Sequence, residues 1–485
     1  MSESVEDRTL TPSRDLPSFR ASRFRVGLAG ITLGALMLRI TYVLAARRDF
    51  PLKGDDYFYH WQGRAIADGL GFVNPFSLNA LDRMDPTAAH PPVYSLFLAA
   101  VSKIGFQTPL GHRLASCLLG ALAVTVIGLA GRRIGGPRAG LLAAGIAALY
   151  PALWINDGML TSETPYILLI AGIVLAAYEW IERPTLWRIA AVGALVGLAA
   201  LTRPEAILLL PLIGVAILVG RRRDPPHDVE DTRAAEASNH PPGWKRRIET
   251  IAVLVLAGMV VVAPWLVRNL TTFDKPVLLA SGHGSVLEVS NCDPTYHGPL
   301  LGYWDITCIT RTRPPANEKQ RRLLEDSSIP GLVYLLAQDN RDESVSDQRA
   351  RTRGLDYIGD HLGRAPLVAA ARVARVWGLY RPAQQLDLDV FFERRGLWPS
   401  RAGLAMYYVL ALLSVWQLVA MRKRRQPIWP LVSILVMTTC TAAVSIGITR
   451  YRVGGDVVLA ILGGVALDRL WALARARRTR DTGVA

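Results

Sequence analysis

The feature that most constrains this chain is a series of long uninterrupted apolar blocks, of which Ile251–Val267 (IAVLVLAGMVVVAPWLV) is the clearest. A water-soluble surface cannot hide segments of this kind. Each is close to the ~17–25 residues that a helix needs to cross about 30 Å of hydrocarbon. The hydrophobic fraction is 51% over 485 residues, yet mean hydropathy is only +0.24. Membrane helices therefore alternate with sizeable aqueous segments. The sequence expectation is an all-α, multi-pass integral membrane protein. A soluble enzyme, a disordered chain and a small disulfide scaffold are excluded.

Blocks of spanning length fall at 26–46, 111–131, 139–155, 160–180, 249–270, 402–421, 427–447 and 453–471. Residues 187–220 are broken by Thr202-Arg203-Pro204-Glu205 and read as two short spans facing each other across that turn. Stretch 91–106 is short, opens on Pro91-Pro92 and contains Lys103.

Charge decides whether 91–106 spans. The net charge is +15, and the basic residues cluster at the ends of apolar blocks rather than in one stripe, so a nucleic-acid partner is rejected. Lys and Arg favour short cytoplasmic loops. With 91–106 lying on the membrane as a juxtamembrane helix, one side receives Arg20/Arg23/Arg25, Arg132/Arg133/Arg138, Arg183/Arg188 and Arg221–Arg223 with Lys245–Arg247. Arg422–Arg425 and the basic tail fall on that same side. If 91–106 spans, nearly all of these flip outward. The expectation is ten spans in a plasma (inner) membrane, with both termini cytoplasmic.

The corresponding organisation is a disordered cytoplasmic tail at 1–22, with no signal peptide, and an N-terminal transmembrane catalytic module at 23–270. That module includes an external loop, 47–110, and a polar cytoplasmic linker, 221–247. An extracytoplasmic segment, 271–401, then precedes the C-terminal transmembrane helices of 402–471 and a basic cytoplasmic tail at 472–485.

Ionisable groups at the external boundary are the chemical candidates. Asp55 and Asp56 lie just beyond the first span, followed by Tyr57, Phe58, Tyr59 and Trp61. A carboxylate there can deprotonate a hydroxyl acceptor or hold a metal; the aromatics equally suit an interfacial belt. His90 before Pro91-Pro92 reads either as punctuation or as a hydrogen-bond donor. Asp157 and Glu163 fall where the third and fourth spans meet, Arg203 and Glu205 at the tip of the fifth and sixth, and Arg450 and Arg452 between the ninth and tenth. Outward arginines suit phosphate binding by their planar fork, or an ordinary rim ion pair. Glu163 and Asp157 read equally as helix-turn hydrogen bonding or as site residues.

Residues 366–380 look amphipathic, with Arg372 and Arg375 expected on a solvated face. Cys292 and Cys308 share an oxidising external compartment and are expected to form a disulfide. Cys117 and Cys440 are expected as small core residues within spans. Trp304 and Tyr303 could stack on a sugar or fill a loop core.

The ordered stretches GDDYFYHWQGRAIADGLGF, HPPVYSLFLA, HRLASCLLGALAVTVIGLAGRRIGGPRAGLLAAGIAALYPALWINDGMLTSETPY, LTRPEAILLLPL, APWLVRNLTTFDKPVLLASGHGSVLEVSN and TRYRVGGDVVLAILGGVAL carry a resemblance. Over roughly 25–310 and 365–470, the chain resembles the GT-C superfamily of membrane glycosyltransferases. More narrowly it is similar to the bacterial group related to protein O-mannosyltransferases and the aminoarabinose transferase of lipid A. The resemblance implies a sugar donor on polyprenyl phosphate, an extracytoplasmic acceptor, and a first-loop Asp as catalytic base. That role falls on Asp55, with Asp56 second. Phosphate or donor binding falls on His90, Glu163, Arg203, Arg450 and Arg452. Relatives often carry Lys before Pro-Pro where this chain has His90, and the second acid is Asp rather than Glu. No metal ligands are assigned; a divalent cation is compatible with the acidic pair. The competing reading is a polytopic transporter or lipid-linked-sugar flippase, which would predict related halves and midplane charges.

Overall fold

A computed structural model describes residues 17–219, 243–312 and 340–481. The expected tail up to residue 16 and residues 221–242 of the linker 221–247 lie outside them, while Trp244 to Arg247 already belong to the helix Trp244–Thr272. Among the described residues the regular structure is helical, apart from one isolated bridge between Val73 and Pro86. Among the described residues six helices are long and apolar enough to cross a membrane: Ser22–Arg47, Pro109–Gly135, Glu163–Glu182, Trp244–Thr272, Leu397–Lys423 and Thr449–Arg477. The helices Pro137–Leu149 and Pro151–Gly158, bent by 62° at their break, make a seventh if the pair is counted as one span. Pro151 removes a backbone donor at the bend, which is why the helix breaks there. Three shorter apolar helices, Leu186–Ala200, Pro204–Val219 and Trp429–Val444, occupy the remaining apolar blocks.

Local chemistry sets the helix ends. Thr108 caps Pro109–Gly135 by accepting from the Gly111 amide at 3.0 Å, and Pro109 and Pro137 start their helices. Gly136, at φ 90°, reverses the chain between these two helices. They then pack so closely that a Cβ on Gly140 would lie 2.6 Å from the Gly128 carbonyl oxygen. One continuous core joins these helices to Glu163–Glu182, Leu186–Ala200 and the last helix, with Ile127, Ala143, Ile170, Val196 and Ile461 fully buried.

Stretch 91–106 forms the helix Pro92–Lys103, whose 12 residues cover only about 18 Å. It packs on Asp55–Ala67, with Phe58, Tyr59, Phe76, Tyr94 and Leu98 forming a separate small core.

The polar face of Ala365–Val376 is not solvated, contrary to expectation. Arg372 is 4% and Arg375 0% exposed. Arg372 donates to the Ser290 carbonyl at 2.6 Å and to Asn291 at 2.9 Å; Arg375 donates to the Leu301 carbonyl at 2.6 Å and to Gln384 at 2.9 Å. The irregular backbone around 290–301 has carbonyls that need donors, and these arginines supply them. Cys292 and Cys308 are disulfide-bonded within this region. Cys117 is buried as expected, whereas Cys440 faces outward from its helix. Trp304 packs against Phe392 with ring centroids 4.9 Å apart and stacks on Tyr303.

Candidate active site

Six chain segments, carrying Asp55, His90, Glu163, Arg203, Glu393 and Arg450, converge at one end of the bundle. The first is the start of the helix Asp55–Ala67. Gly54, at φ 65°, turns the chain so that Asp55 and Asp56 enter the helix side by side. A helix turns by about 100° per residue, so the two carboxylates diverge.

Asp55 faces a cavity of about 360 Å³ lined by Tyr59, His90, Arg203, Glu393 and Arg450, among others. Asp56 points away from it. Its Oδ1 accepts from the Lys53 amide at 2.5 Å and the Tyr57 amide at 2.9 Å, and Arg394 lies 3.8 Å from the other oxygen. Burial drives the Asp56 carboxyl up to about 6 despite these partners. Burial also opposes ionisation of Asp55, but Arg450, followed by His90, outweighs it and holds that carboxyl below the usual range.

Arg450 is the hub. It sits in the short turn Thr449–Arg452 before the last helix. Its Nη2 donates to Asp55 Oδ2 at 2.7 Å, its Nε to Glu163 Oε1 at 2.7 Å, and its Nη1 to Glu393 Oε2 at 3.0 Å. Glu163 opens the helix Glu163–Glu182, is 0% exposed, and also receives Arg203 Nη1. Arg203 is placed by the chain break that Pro204 imposes. Its Nε donates to Glu205 at 2.6 Å, and its guanidinium lies 5.1 Å from the Tyr451 ring centroid.

His90 Nε2 is 3.7 Å from Asp55 Oδ1, and its ring packs between Phe58 and Tyr59, at 4.7 and 4.8 Å. Burial lowers its proton affinity more than Asp55 raises it, so the imidazole is neutral near pH 7. It can offer a hydrogen bond to an anion, not a full charge. The backbone before it is held by Glu343, which accepts from the Ala88 amide at 2.5 Å, Thr87 Oγ1 at 2.7 Å and Ser281 Oγ at 2.7 Å.

The structure therefore brings together Asp55, His90, Glu163, Arg203 and Arg450. Two expected residues lie apart. Arg452, two residues after Arg450, turns into the protein, where it donates to Asp456 at 3.1 Å and sits 3.7 Å over the Tyr407 ring. Asp157 is closed off by Arg39 at 2.7 Å and Thr164 at 2.9 Å. Sequence reasoning missed Glu393 and Glu343. Neither sits in a motif; only the tertiary path of 340–396 delivers them.

The far wall of the cavity comes from the segment after residue 271 and from the approach to the last helix. It is mostly apolar, with Val286, Val289, Trp304, Ile306, Ile309 and Ile446, and adds His283 and Asp347. The donor set does not fit a divalent cation. Asp55, Glu163 and Glu393 do converge, but the Arg450 guanidinium lies among them. No other cluster of three His, Cys, Asp or Glu side chains among the described residues could hold a metal ion.

The family model described as dolichyl-phosphate-mannose-protein mannosyltransferase matches residues 89–225. The archaeal oligosaccharyltransferase AglB from Archaeoglobus fulgidus, in complex with an inhibitory peptide and a dolichol-phosphate, superposes with a TM-score of 0.50 at 14% identity. The match covers 96% of this chain and 52% of that one. The chain has the GT-C fold. The apo form of the same archaeal enzyme gives a TM-score of 0.50, covering 97% and 53%. The chain thus spans about half the length of the archaeal enzyme. ArnT from Cupriavidus metallidurans, bound to undecaprenyl phosphate, is 17% identical over 93% of this chain and 78% of that one, with a TM-score of 0.41. No curated protein sequence matches.

Proposed function

We propose that this protein transfers a sugar from a polyprenyl-phosphate-linked donor to an acceptor hydroxyl, with Asp55 as general base. The observation that carries the reading is the Asp55 carboxylate, paired with Arg450 at 2.7 Å, at the wall of a cavity that also presents Arg203 and His90. A base, two guanidiniums and a neutral imidazole around one cavity suit a reaction that takes up a proton at one oxygen and releases a phosphate at another. The GT-C fold and the mannosyltransferase-family match over 89–225 support it, as does the dolichol-phosphate in the archaeal relative.

In this mechanism the acceptor oxygen attacks the anomeric carbon while Asp55 takes its proton. The bond from the anomeric carbon to phosphate oxygen breaks on the opposite face, which inverts the configuration. Positioned base help is commonly worth about 10²–10⁴-fold. Charge gathers on the departing phosphate, where Arg450 and Arg203 stabilise it and His90 donates a hydrogen bond. The apolar wall around Trp304 and Ile306 is assigned to the acceptor. Asp56, Arg452 and the Cys292–Cys308 bridge are assigned structural roles.

The topology that fits this reading has ten spans. It adds the three shorter apolar helices to the seven longer ones, and both termini are cytoplasmic by the distribution of Arg and Lys. The site then opens to the outer face of the plasma membrane, where membrane lipids deliver the donor.

The deciding experiment compares wild type with Asp55→Asn, purified in lipid, on a panel of polyprenyl-phosphate sugars. Release of free polyprenyl phosphate by wild type and its loss in the variant is the expected result. Two inert proteins that still move lipid-linked sugar across liposomes would establish the flippase instead. Equal turnover by both would overturn Asp55 as base.

A further inference from the structure

The charges around Arg450 do not balance. Four carboxylates, Asp55, Glu163, Glu205 and Glu393, face two guanidiniums, Arg203 and Arg450, in ion pairs that run through one continuous cluster. His90 contributes no full charge near neutrality. Within this ion-paired set the carboxylates outnumber the guanidiniums, so they repel an anionic phosphate added to it, and in a weakly solvated site such repulsion is strong. Arg450 already serves three carboxylates: Nε and Nη2 hold Glu163, Nη2 also holds Asp55, and Nη1 holds Glu393. A phosphate can take two N–H groups of Arg450 side by side only if one carboxylate gives way.

The four acids differ in how firmly they are held. Glu163 is completely buried and shared by both arginines. Glu205 pairs with Arg203 alone, on the side away from Arg450. Asp55 has to stay at the reacting centre. Glu393 holds Arg450 through a single contact at 3.0 Å. It is carried on the short segment 392–396 between the helices Pro382–Phe391 and Leu397–Lys423, where Arg394 adopts φ 55°. It lines the same cavity as Asp55. Burial disfavours its ionised form more than Arg450 and Arg395 favour it, and Asp55 adds to the effect of burial.

We infer that Glu393 competes with the donor phosphate for Arg450 Nη1, so that carboxylate and phosphate exchange on that guanidinium at each cycle. This rests on the phosphate-donor reading above. Glu393 is then a specificity-determining residue. It sets how tightly the phosphate is held, and after transfer it helps expel polyprenyl phosphate by reclaiming Arg450. No bond is made or broken in this step; only ion-pair partners change.

The test measures binding of a polyprenyl monophosphate to the full-length protein in lipid nanodiscs. Glu393→Gln keeps the size of the side chain and removes its charge; Glu393→Ala removes both. Both variants are expected to bind the lipid phosphate about fivefold or more tighter than wild type, because one competing anion is gone. Their KM for the sugar donor falls, and product release slows. A gain in affinity is not something a damaged fold produces. Equal or weaker binding by both variants, with wild type binding normally, overturns the competition and leaves the functional reading standing. Absence of binding by wild type and both variants removes the functional reading, and this inference with it.

Discussion

Arg450 lies 395 residues from Asp55 in the sequence and 2.7 Å from it in space. The same guanidinium reaches Glu163 and Glu393, so three distant segments are tied to the first loop by one side chain. The ion pair keeps Asp55 ionised against its burial, and it also aims the carboxylate. A base with depressed proton affinity is a weak one, but it is fully available at every pH near neutrality.

Asp55→Asn is expected to lower turnover by about 10²–10⁴-fold, the usual contribution of a positioned base. Asp56→Asn, one residue away, is expected to change turnover by less than about tenfold, because its carboxylate faces backbone amides and Arg394 rather than the cavity. Single-turnover release of polyprenyl phosphate compares the two directly. Similar losses in both would mean that the acidic pair acts as a unit.

The pH profile follows from the Arg450 contact. Activity needs the Asp55 carboxylate, so it falls as pH drops through the proton affinity of that group in the folded protein. Arg450 holds this below the ordinary carboxylate value, so the acid limb lies below about pH 4. In Arg450→Gln, burial is opposed only by weaker neighbours, and the limb moves to higher pH. Rate profiles of wild type and variant under saturating donor check this. An unmoved limb would mean that another group sets it.

Asp56 offers a stability test. Its carboxyl is raised in the folded protein to about 6, above its unfolded value, so the folded state binds the proton more tightly. Stability from this group is therefore present at low pH and is lost as pH rises through about 6. Asp56→Asn retains an oxygen to accept from the Lys53 and Tyr57 amides and removes the buried charge. It is expected to stabilise the protein at pH 7.5 by about 1–3 kcal/mol and to have little effect at pH 4. Thermal melts in matched detergent at the two pH values read the difference.

The apolar blocks made most of the helices legible, because lipid leaves the backbone few alternatives to a helix. The break at Thr202-Arg203-Pro204 was equally plain, since proline constrains the residue before it and removes a donor. The site was only partly legible. Asp55, Glu163, Arg203 and Arg450 stand out as charges beside apolar blocks. Arg450 and Arg452 look alike in sequence, yet a tight turn sends one to the cavity and the other to Asp456. Glu393 lies in an ordinary charged run, FFERRG, and only long-range packing brings it to Arg450. Arg372 and Arg375 misled for the same reason: an amphipathic pattern marks a polar face without saying whether water or loop carbonyls will cover it.

Glu163 separates a structural from a chemical role for the arginine pair. It is completely buried and receives both Arg203 and Arg450. Removing its charge leaves two guanidiniums close together in a poorly solvated place, and breaking a buried pair in this way typically costs about 3–5 kcal/mol. Glu163→Gln is expected to lose stability of that order and to release Arg450 from its fixed position. Glu163→Gln with Arg203→Gln removes one charge of each sign and should recover a good part of the stability, but not the activity, because phosphate stabilisation then rests on Arg450 alone. Thermal melts and donor turnover of the two single variants and the double variant complete the cycle. Additive losses in stability would show that Glu163 and Arg203 do not act as a pair, and wild-type turnover in the double variant would remove Arg203 from the phosphate site.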